Sequence, residues 1–333
     1  MSKLLLFGEP LIRITPLEYA ELGDGVLSQT FFGGSEVNIA CNLQALGVDT
    51  CLLTALPSSK VGDRFLHFLS QHLIDTTSVY RVGDRIGTYY LESGYGCRQS
   101  EVFYDRKHTS ISELTADMLD MDALFKGITH FHFSGITVAI GPSVRQLLLT
   151  LVQEAKRRNI RISMDLNLRT KMINVTDAKK VFSTFAMYAD DCFGIDPLMI
   201  DDQDTSMFPR ESANSEDVRQ RMLQLKQVYS FQTIFHTLRS TDEYGRNGYQ
   251  AYALGECFEE SLILKTPVLQ RVGSGDAFIS GALHQLIKQA SLKEVLDFGV
   301  ASATLKCTVA GDSMIKSEAD IRSLLAGKQD IVR

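Results

Sequence analysis

Short apolar runs recur along the chain, at residues 3–8, 51–56, 128–133, 160–165 and 233–238. Each has the length of a strand and lacks alternation of apolar and polar positions, which predicts strands buried on both faces of a central sheet. Between them the hydrophobic period changes to three or four. Val144, Leu147, Leu148, Leu151, Val152 and Ala155 fall on one face of a predicted helix, and Pro142 suits its first turn. Phe278, Ala282 and Gln285, with Ile279, Leu283, Leu286 and Ile287 beside them, predict a second helix. Helices alternating with buried strands indicate an α/β fold, a doubly wound, mostly parallel sheet with helices on both faces.

Two stretches break that rhythm. Residues 12–32 and 87–104 read as short strands with glycine-rich turns and exposed tyrosines. They fit a small β-flap lid, about 10–33 and 86–107, carried by a single domain of residues 1–333. The polar stretch 201–216 reads as a mobile loop. The chain has no internal repeat and no low-complexity tract.

Composition narrows the partners. The 333 residues are 44% hydrophobic and 22% charged, enough for a large core and unlike a disordered chain. A net charge of −6 argues against general nucleic-acid binding, which needs clustered lysine and arginine. No run reaches the roughly 18–20 apolar residues of a membrane span, and the apolar stretch at residues 4–7 is too short for a signal peptide. The six cysteines include no CxxC pair, as expected of reduced thiols. A cytoplasmic protein bound to neither membrane nor nucleic acid is expected. His130 and His132 alternate on one predicted strand without a partner set for a metal, and read as core or edge histidines; His67 and His72 read as solvated.

The sharpest chemical motif is Val272-Gly273-Ser274-Gly275-Asp276-Ala277-Phe278, opening the second helix. Glycines before a helix let the backbone turn tightly and aim N–H groups at an anion. An aspartate there can take a proton from an attacking hydroxyl. Phosphoryl transfer needs both parts. The plainer reading is a glycine-rich turn whose aspartate complements the helix dipole. No GxxxxGK[ST] is present and no GxGxxG follows a strand, which argues against a P-loop NTPase and a dinucleotide enzyme.

Gly273-Ser274-Gly275-Asp276 resembles the C-terminal signature of the ribokinase-like (PfkB) sugar kinases, and Gly33-Gly34-Ser35-Glu36-Val37-Asn38-Ile39-Ala40 resembles their N-terminal one. Within that family the chain most resembles the 2-keto-3-deoxygluconate kinases. Val102-Phe103-Tyr104-Asp105-Arg106, Phe133-Ser134-Gly135-Ile136, Asp165-Leu166-Asn167-Leu168-Arg169, and 303–307 with Gly311-Asp312 carry that likeness. The resemblance implies that Asp276 is the base and that Gly273, Ser274 and Gly275 form the anion cradle. It implies substrate contacts at Gly34, Asn38, Tyr89, Tyr104, Arg106, Ile136, Arg169 and Asp312. Asn167, Thr237, Arg239, Gly273 and Gly275 fall on its ATP side. Mg²⁺ on the nucleotide, a monovalent cation, and self-association through the flap are further implications; no protein metal ligands are expected. Independently, a sugar-acid carboxylate suits the guanidinium fork of Arg169, just past a predicted strand, and of Arg106 at the flap.

The chain departs from the family pattern at Gln270, where an Asp linked to monovalent-cation binding is usual, and at Arg271. It departs again at Ile195 and Leu198, where an Asn and a Glu tied to Mg²⁺ and phosphate are usual. The expected reaction is ATP-dependent phosphorylation of 2-keto-3-deoxygluconate at its 6-hydroxyl. A kinase for a neutral sugar such as fructose or ribose, a catalytically impaired sugar-acid binder, and more remotely a nucleoside kinase remain as alternatives.

Overall fold

The computed structural model describes residues 2–327. Strands β1 (Lys3–Phe7), β2 (Leu11–Pro16) and β3 (Ser28–Gly33) lead into helix α1 (Ser35–Ala45). Then follow β4 (Asp49–Leu56), α2 (Lys60–Gln71), β5 (Val79–Arg81), β6 (Gly87–Glu92), β7 (Glu101–Asp105) and the short α3 (Met121–Leu124). The middle of the chain forms β8 (His130–Ser134), α4 (Gly135–Ala139), α5 (Pro142–Arg157), β9 (Arg161–Asp165), α6 (Val175–Ala186), β10 (Asp191–Phe193) and α7 (Ser215–Tyr229). The last part forms β11 (Thr233–Thr241), β12 (Asn247–Leu254), β13 (Phe258–Glu260), β14 (Leu264–Thr266), α8 (Ser274–Ile287), α9 (Leu292–Lys306) and α10 (Glu318–Leu325).

Ten strands make one sheet in the order β13-β12-β11-β10-β9-β8-β1-β4-β5, with β14 also on β12. From β11 to β5 every pairing is parallel; β12, β13 and β14 close one edge antiparallel. The unbroken apolar runs have a simple cause. Leu5 and Phe7 of β1 pack into the core on one face, with α5 and α6; Leu4 and Leu6 pack into the core on the other, with α1 and α8. Successive side chains of a strand point to opposite faces, so burial on both leaves no polar position. Helix α5 starts at Pro142 and buries Val144, Leu147, Leu148, Leu151, Val152 and Ala155, as its period predicts.

A second sheet, of order β3-β2-β6-β7, draws its strands from residues 11–33 and 87–105. The polar stretch after β10 is irregular up to Asn214, where an Asn214–Asp217 capping box starts α7. His132 is buried, and burial lowers its pKa to about 3, so it is a neutral core histidine. Among the described residues no helix is long and apolar enough to cross a membrane.

The chain runs from β1 to β4 and β5 on one side, then returns to β8 on the other. The order therefore switches beside β1. In open parallel sheets ligands bind at the carboxyl ends of the strands near such a point. Here those ends deliver Glu9, Ile136, Asp165 to Arg169, Asp196, and Thr237 to Arg239.

Candidate active site

A cleft of about 1530 Å³ lies over these strand ends, beside the second sheet. Its wall includes Gly34, Asn38, Tyr89, Tyr104, Arg106, Ile136, Asn167, Arg169, Thr237, Arg239 and the turn 272–276. Fourteen of the fifteen sequence-selected positions thus meet in one cavity, although they come from all parts of the chain; Asp312 is the exception.

The turn into α8 is built for close approach. Gly273 sits at the helix N-cap with φ 78°, and a Cβ there would lie 1.7 Å from the carbonyl oxygen of Asp312. Among the described residues the N–H groups of Gly275 and Asp276 have no acceptor. Orphan N–H groups in a helix's first turn, at the positive end of its dipole, form an anion site. Gly34 makes a second such approach, at the N-cap of α1. Its φ is 123°, and a Cβ would stand 2.2 Å from the carbonyl oxygen of Glu9.

Asp276 lies in the first turn of α8 and is 9% exposed. Its Oδ1 accepts the Ser35 hydroxyl at 2.9 Å and its Oδ2 accepts Asn38 Nδ2 at 2.7 Å. Burial raises its pKa, against the lowering effect of those two donors and of Arg169. Asp165, at the end of β9, is pushed to about 8, by burial first and then by the charge of Asp276. Asn38 was expected at the substrate, and it does line the cleft. Its polar ends are already engaged, however: Nδ2 on Asp276 and Oδ1 on the Ser313 hydroxyl at 3.3 Å.

Two arginines face the other end of the cleft. Arg106 donates through Nε to Glu9 at 2.9 Å, and its guanidinium stands 5.5 Å from the Tyr104 ring. The guanidinium of Arg169 has no hydrogen bond or ion pair among the described residues. Tyr89 presents its ring to the cleft but spends its hydroxyl on Asp312 Oδ2 at 3.1 Å. Asp312 does not itself line the cleft: its carboxylate takes the Tyr89 hydroxyl on one oxygen and Arg13 Nε at 2.8 Å on the other. Arg13 is fully buried, and a buried guanidinium must have a partner.

On the opposite side Asn167 is held at φ 24°, its N–H donating to Asp165 at 3.2 Å. Arg239 lies 5.6 Å from the ring of Tyr249. The cleft also gathers groups the sequence reading passed over. His236 Nε2, the Tyr249 hydroxyl and Asp196 Oδ1 are buried in its wall without hydrogen-bond partners. Their signal in the sequence was only position, at or beside the ends of buried strands.

A model of the pfkB family carbohydrate kinases matches residues 1–318. The chain belongs to that family. Similar proteins include a 2-dehydro-3-deoxygalactonokinase of Haloferax volcanii, 26% identical over 98% of this chain and 97% of the relative. A solved 2-dehydro-3-deoxygluconokinase of Thermotoga maritima is 28% identical at a TM-score of 0.90, covering 98% of this chain and all (100%) of that one. A pfkB carbohydrate kinase of Listeria grayi is 27% identical at a TM-score of 0.87, covering 98% and 100%. This chain is therefore a sugar kinase of ribokinase-like fold, an enzyme that moves a phosphoryl group to a sugar hydroxyl.

As a pfkB kinase the chain keeps two of its unusual positions, Ile195 and Leu198, out of the cleft, while Gln270 and Arg271 line it. Ile195 and Leu198 are wholly buried in the apolar core. Asp196 between them borders the cleft with its side chain buried; its Oδ2 accepts the Phe208 N–H at 2.8 Å, while Oδ1 has only Arg221, 3.9 Å away. Among the described residues no group of three or more His, Cys, Asp or Glu side chains could hold a metal ion. A divalent ion of the family's reaction would be one carried on the nucleotide, with Asp196 the buried carboxylate in the cleft wall beside it. Gln270 is occupied elsewhere: its Oε1 accepts the Gly311 N–H at 2.7 Å. Lys306, the last residue of α9, is fully buried and donates to the Val309 carbonyl at 3.2 Å.

Proposed function

We propose that this sugar kinase phosphorylates a sugar acid of the 2-keto-3-deoxygluconate type at its 6-hydroxyl, with ATP as donor. The observation that carries the reading is Arg169, a guanidinium without a protein partner, in the same cleft as Asp276 and the free N–H groups of α8. A carboxylated acceptor supplies the partner that Arg169 lacks. The names of the Haloferax and Thermotoga relatives agree with such an acceptor.

The acceptor lies between the arginines and Asp276, with Arg106 and Arg169 on its carboxylate and Tyr104, Tyr89 and Ile136 along its carbon chain. Its hydroxyl oxygen attacks the γ-phosphorus. The hydroxyl proton passes to Asp276, and the bond from that phosphorus to the β-phosphate bridging oxygen breaks to release ADP. The N–H groups of Gly275 and Asp276 meet the charge on the transferring group. Thr237, Arg239 and Asn167 hold the nucleotide. Mg²⁺ carried on the nucleotide would offset phosphate charge, and Asp196 would be the carboxylate in the cleft wall beside it. The second sheet acts as a lid whose closure excludes water. The exposed Leu27, Tyr95 and Phe103 of its segments suit self-association. We expect no need for a monovalent cation, since Gln270 brings no negative charge to the turn before α8 and its Oε1 is taken by the Gly311 N–H.

The test is ADP release with ATP, Mg²⁺ and, in parallel, 2-keto-3-deoxygluconate, fructose, ribose and adenosine. Turnover confined to the keto acid is the expected result. Turnover on a neutral sugar overturns the acceptor reading. Stabilisation by the keto acid without ADP release would make the chain a binder.

A further inference from the structure

The base candidate is gripped by one helix at both oxygens. Asn38 is fastened from behind by Ser313, so its amide is fixed before it reaches Asp276. Ser35 is placed differently. It is the first residue of α1, it follows the forced backbone of Gly34, and its Oγ lies 3.5 Å from Asn167 Nδ2 while donating to Asp276 Oδ1 at 2.9 Å. Strand β3 of the second sheet ends two residues earlier, at Gly33. Ser35 therefore stands where the second sheet, the loop after β9 and the carboxylate meet, and it is 7% exposed.

A carboxylate held at only one oxygen can still rotate about its Cβ–Cγ bond. A second donor on the other oxygen stops that rotation and presents one lone pair to the reacting hydroxyl. We propose that Ser35 is a positioning residue for Asp276, its hydroxyl fixing the orientation of the carboxylate that receives the acceptor's proton. The proposal rests on the reading of Asp276 as the base, and on no particular sugar.

A donor to the ionised carboxylate favours that form, so its removal raises the pH at which the carboxylate loses its proton. The other charged or titratable groups acting on Asp276 are Glu36 on α1, Tyr89 on β6, Asp165 and Arg169 at the end of β9, Lys306 on α9 and Asp312. All are unchanged in a Ser35 variant, so a displaced acid limb reports on Ser35.

The experiment records kcat and kcat/KM against pH for wild type, Ser35→Ala, Ser35→Thr, Ser35→Cys and Asp276→Asn, with whichever acceptor the enzyme turns over. Ser35→Ala is expected to lose about tenfold in kcat, as misplacement of a reacting group does. Its acid limb should move upward by about one pH unit, a tenfold change in proton affinity. Ser35→Thr should restore both. An acid limb in Ser35→Ala that coincides with wild type overturns the proposal, whatever its kcat. If thermal unfolding shows that Ser35→Ala does not fold, Ser35→Cys, a weaker donor, reads the same limb. An inactive Asp276→Asn beside an unmoved limb removes Ser35 alone. An active Asp276→Asn removes the base assignment and Ser35 with it.

Discussion

Arg106 arrives at the cleft already anchored, its Nε donating to Glu9 Oε2 at 2.9 Å. Glu9 is fixed in turn by the Thr109 hydroxyl, 2.6 Å from its Oε1. Both members of the pair are buried, so the arginine's orientation is set before any ligand enters. Glu9→Gln should raise KM for an acidic acceptor more than it lowers kcat. It should also lower the thermal midpoint, because removing one member of a buried pair costs about 3–5 kcal/mol. Steady-state kinetics and an unfolding curve check the two effects separately.

Arg169 has the opposite character: among the described residues its guanidinium has no hydrogen bond or ion pair, only the longer-range charges of Asp165 and Asp276. Arg169→Ala should leave folding stability within about 0.5 kcal/mol of wild type, as surface changes do. It should weaken an acidic acceptor by roughly 10- to 100-fold, from hydrogen bonds to a charged group worth about 1.5–3 kcal/mol. Fructose or ribose turnover, if present, should be unchanged. An equal loss on acidic and neutral acceptors would show that Arg169 does not read charge.

Asp165 makes stability depend on pH. Its pKa is about 8 when folded and 3.8 as the ordinary value, so between those limits the folded chain binds the extra proton. Stability is then fully present below about pH 4 and declines as pH rises toward 8. Asp165→Asn should gain on wild type across that window and hold the gain above it. Urea midpoints of the two proteins at pH 5, 7 and 8.5 check the sign.

Asp312→Asn should destabilise the fold rather than impair recognition of the acceptor, since its carboxylate serves Arg13. The expected loss is about 3–5 kcal/mol, the usual effect of stranding a buried charge. The double variant Arg13→Met, Asp312→Asn should recover part of it. A larger effect on KM than on the unfolding midpoint would return Asp312 to the substrate.

Gln270 offers a cation test and Lys306 a pH test. Turnover should be the same in potassium, sodium and tetramethylammonium buffers. Burial pulls this lysine's pKa down to about 8 from 10.5, so above pH 8 the folded chain sheds a proton that the unfolded chain keeps. Wild type should therefore gain stability relative to Lys306→Met as pH rises from 8 to 10.5. The difference in midpoint between the two proteins measures it.

Much of this was legible before the fold was known, for identifiable reasons. Strands buried on both faces leave unbroken apolar runs, and α5 writes its buried face as a period. The glycines before Asp276 and before Ser35 mark backbone that no side chain could occupy. What stayed hidden depends on partners distant in sequence. Nothing near Asp312 reveals a buried arginine 299 positions away, and nothing in the residues around Ser35 reveals that its hydroxyl ends on Asp276. Ile195 and Leu198 read as losses from a metal-linked motif, yet both side chains belong to the core, and the neighbouring Asp196 is the residue of the three that borders the cleft.

The parts of the cleft differ in how firmly they are tied to the rest of the molecule. Asp276 and the turn before it are set into α8 and clasped by α1, so almost any change there disturbs two helices. The guanidinium of Arg169 has no such ties among the described residues, although its loop is fastened through Asn167 and Lys171. Such a division lets mutation explore one half freely while the other stays constant. Descendants of this chain could therefore change diet, from one sugar acid to another, through the side chain at position 169, inheriting the phosphoryl-transfer machinery untouched.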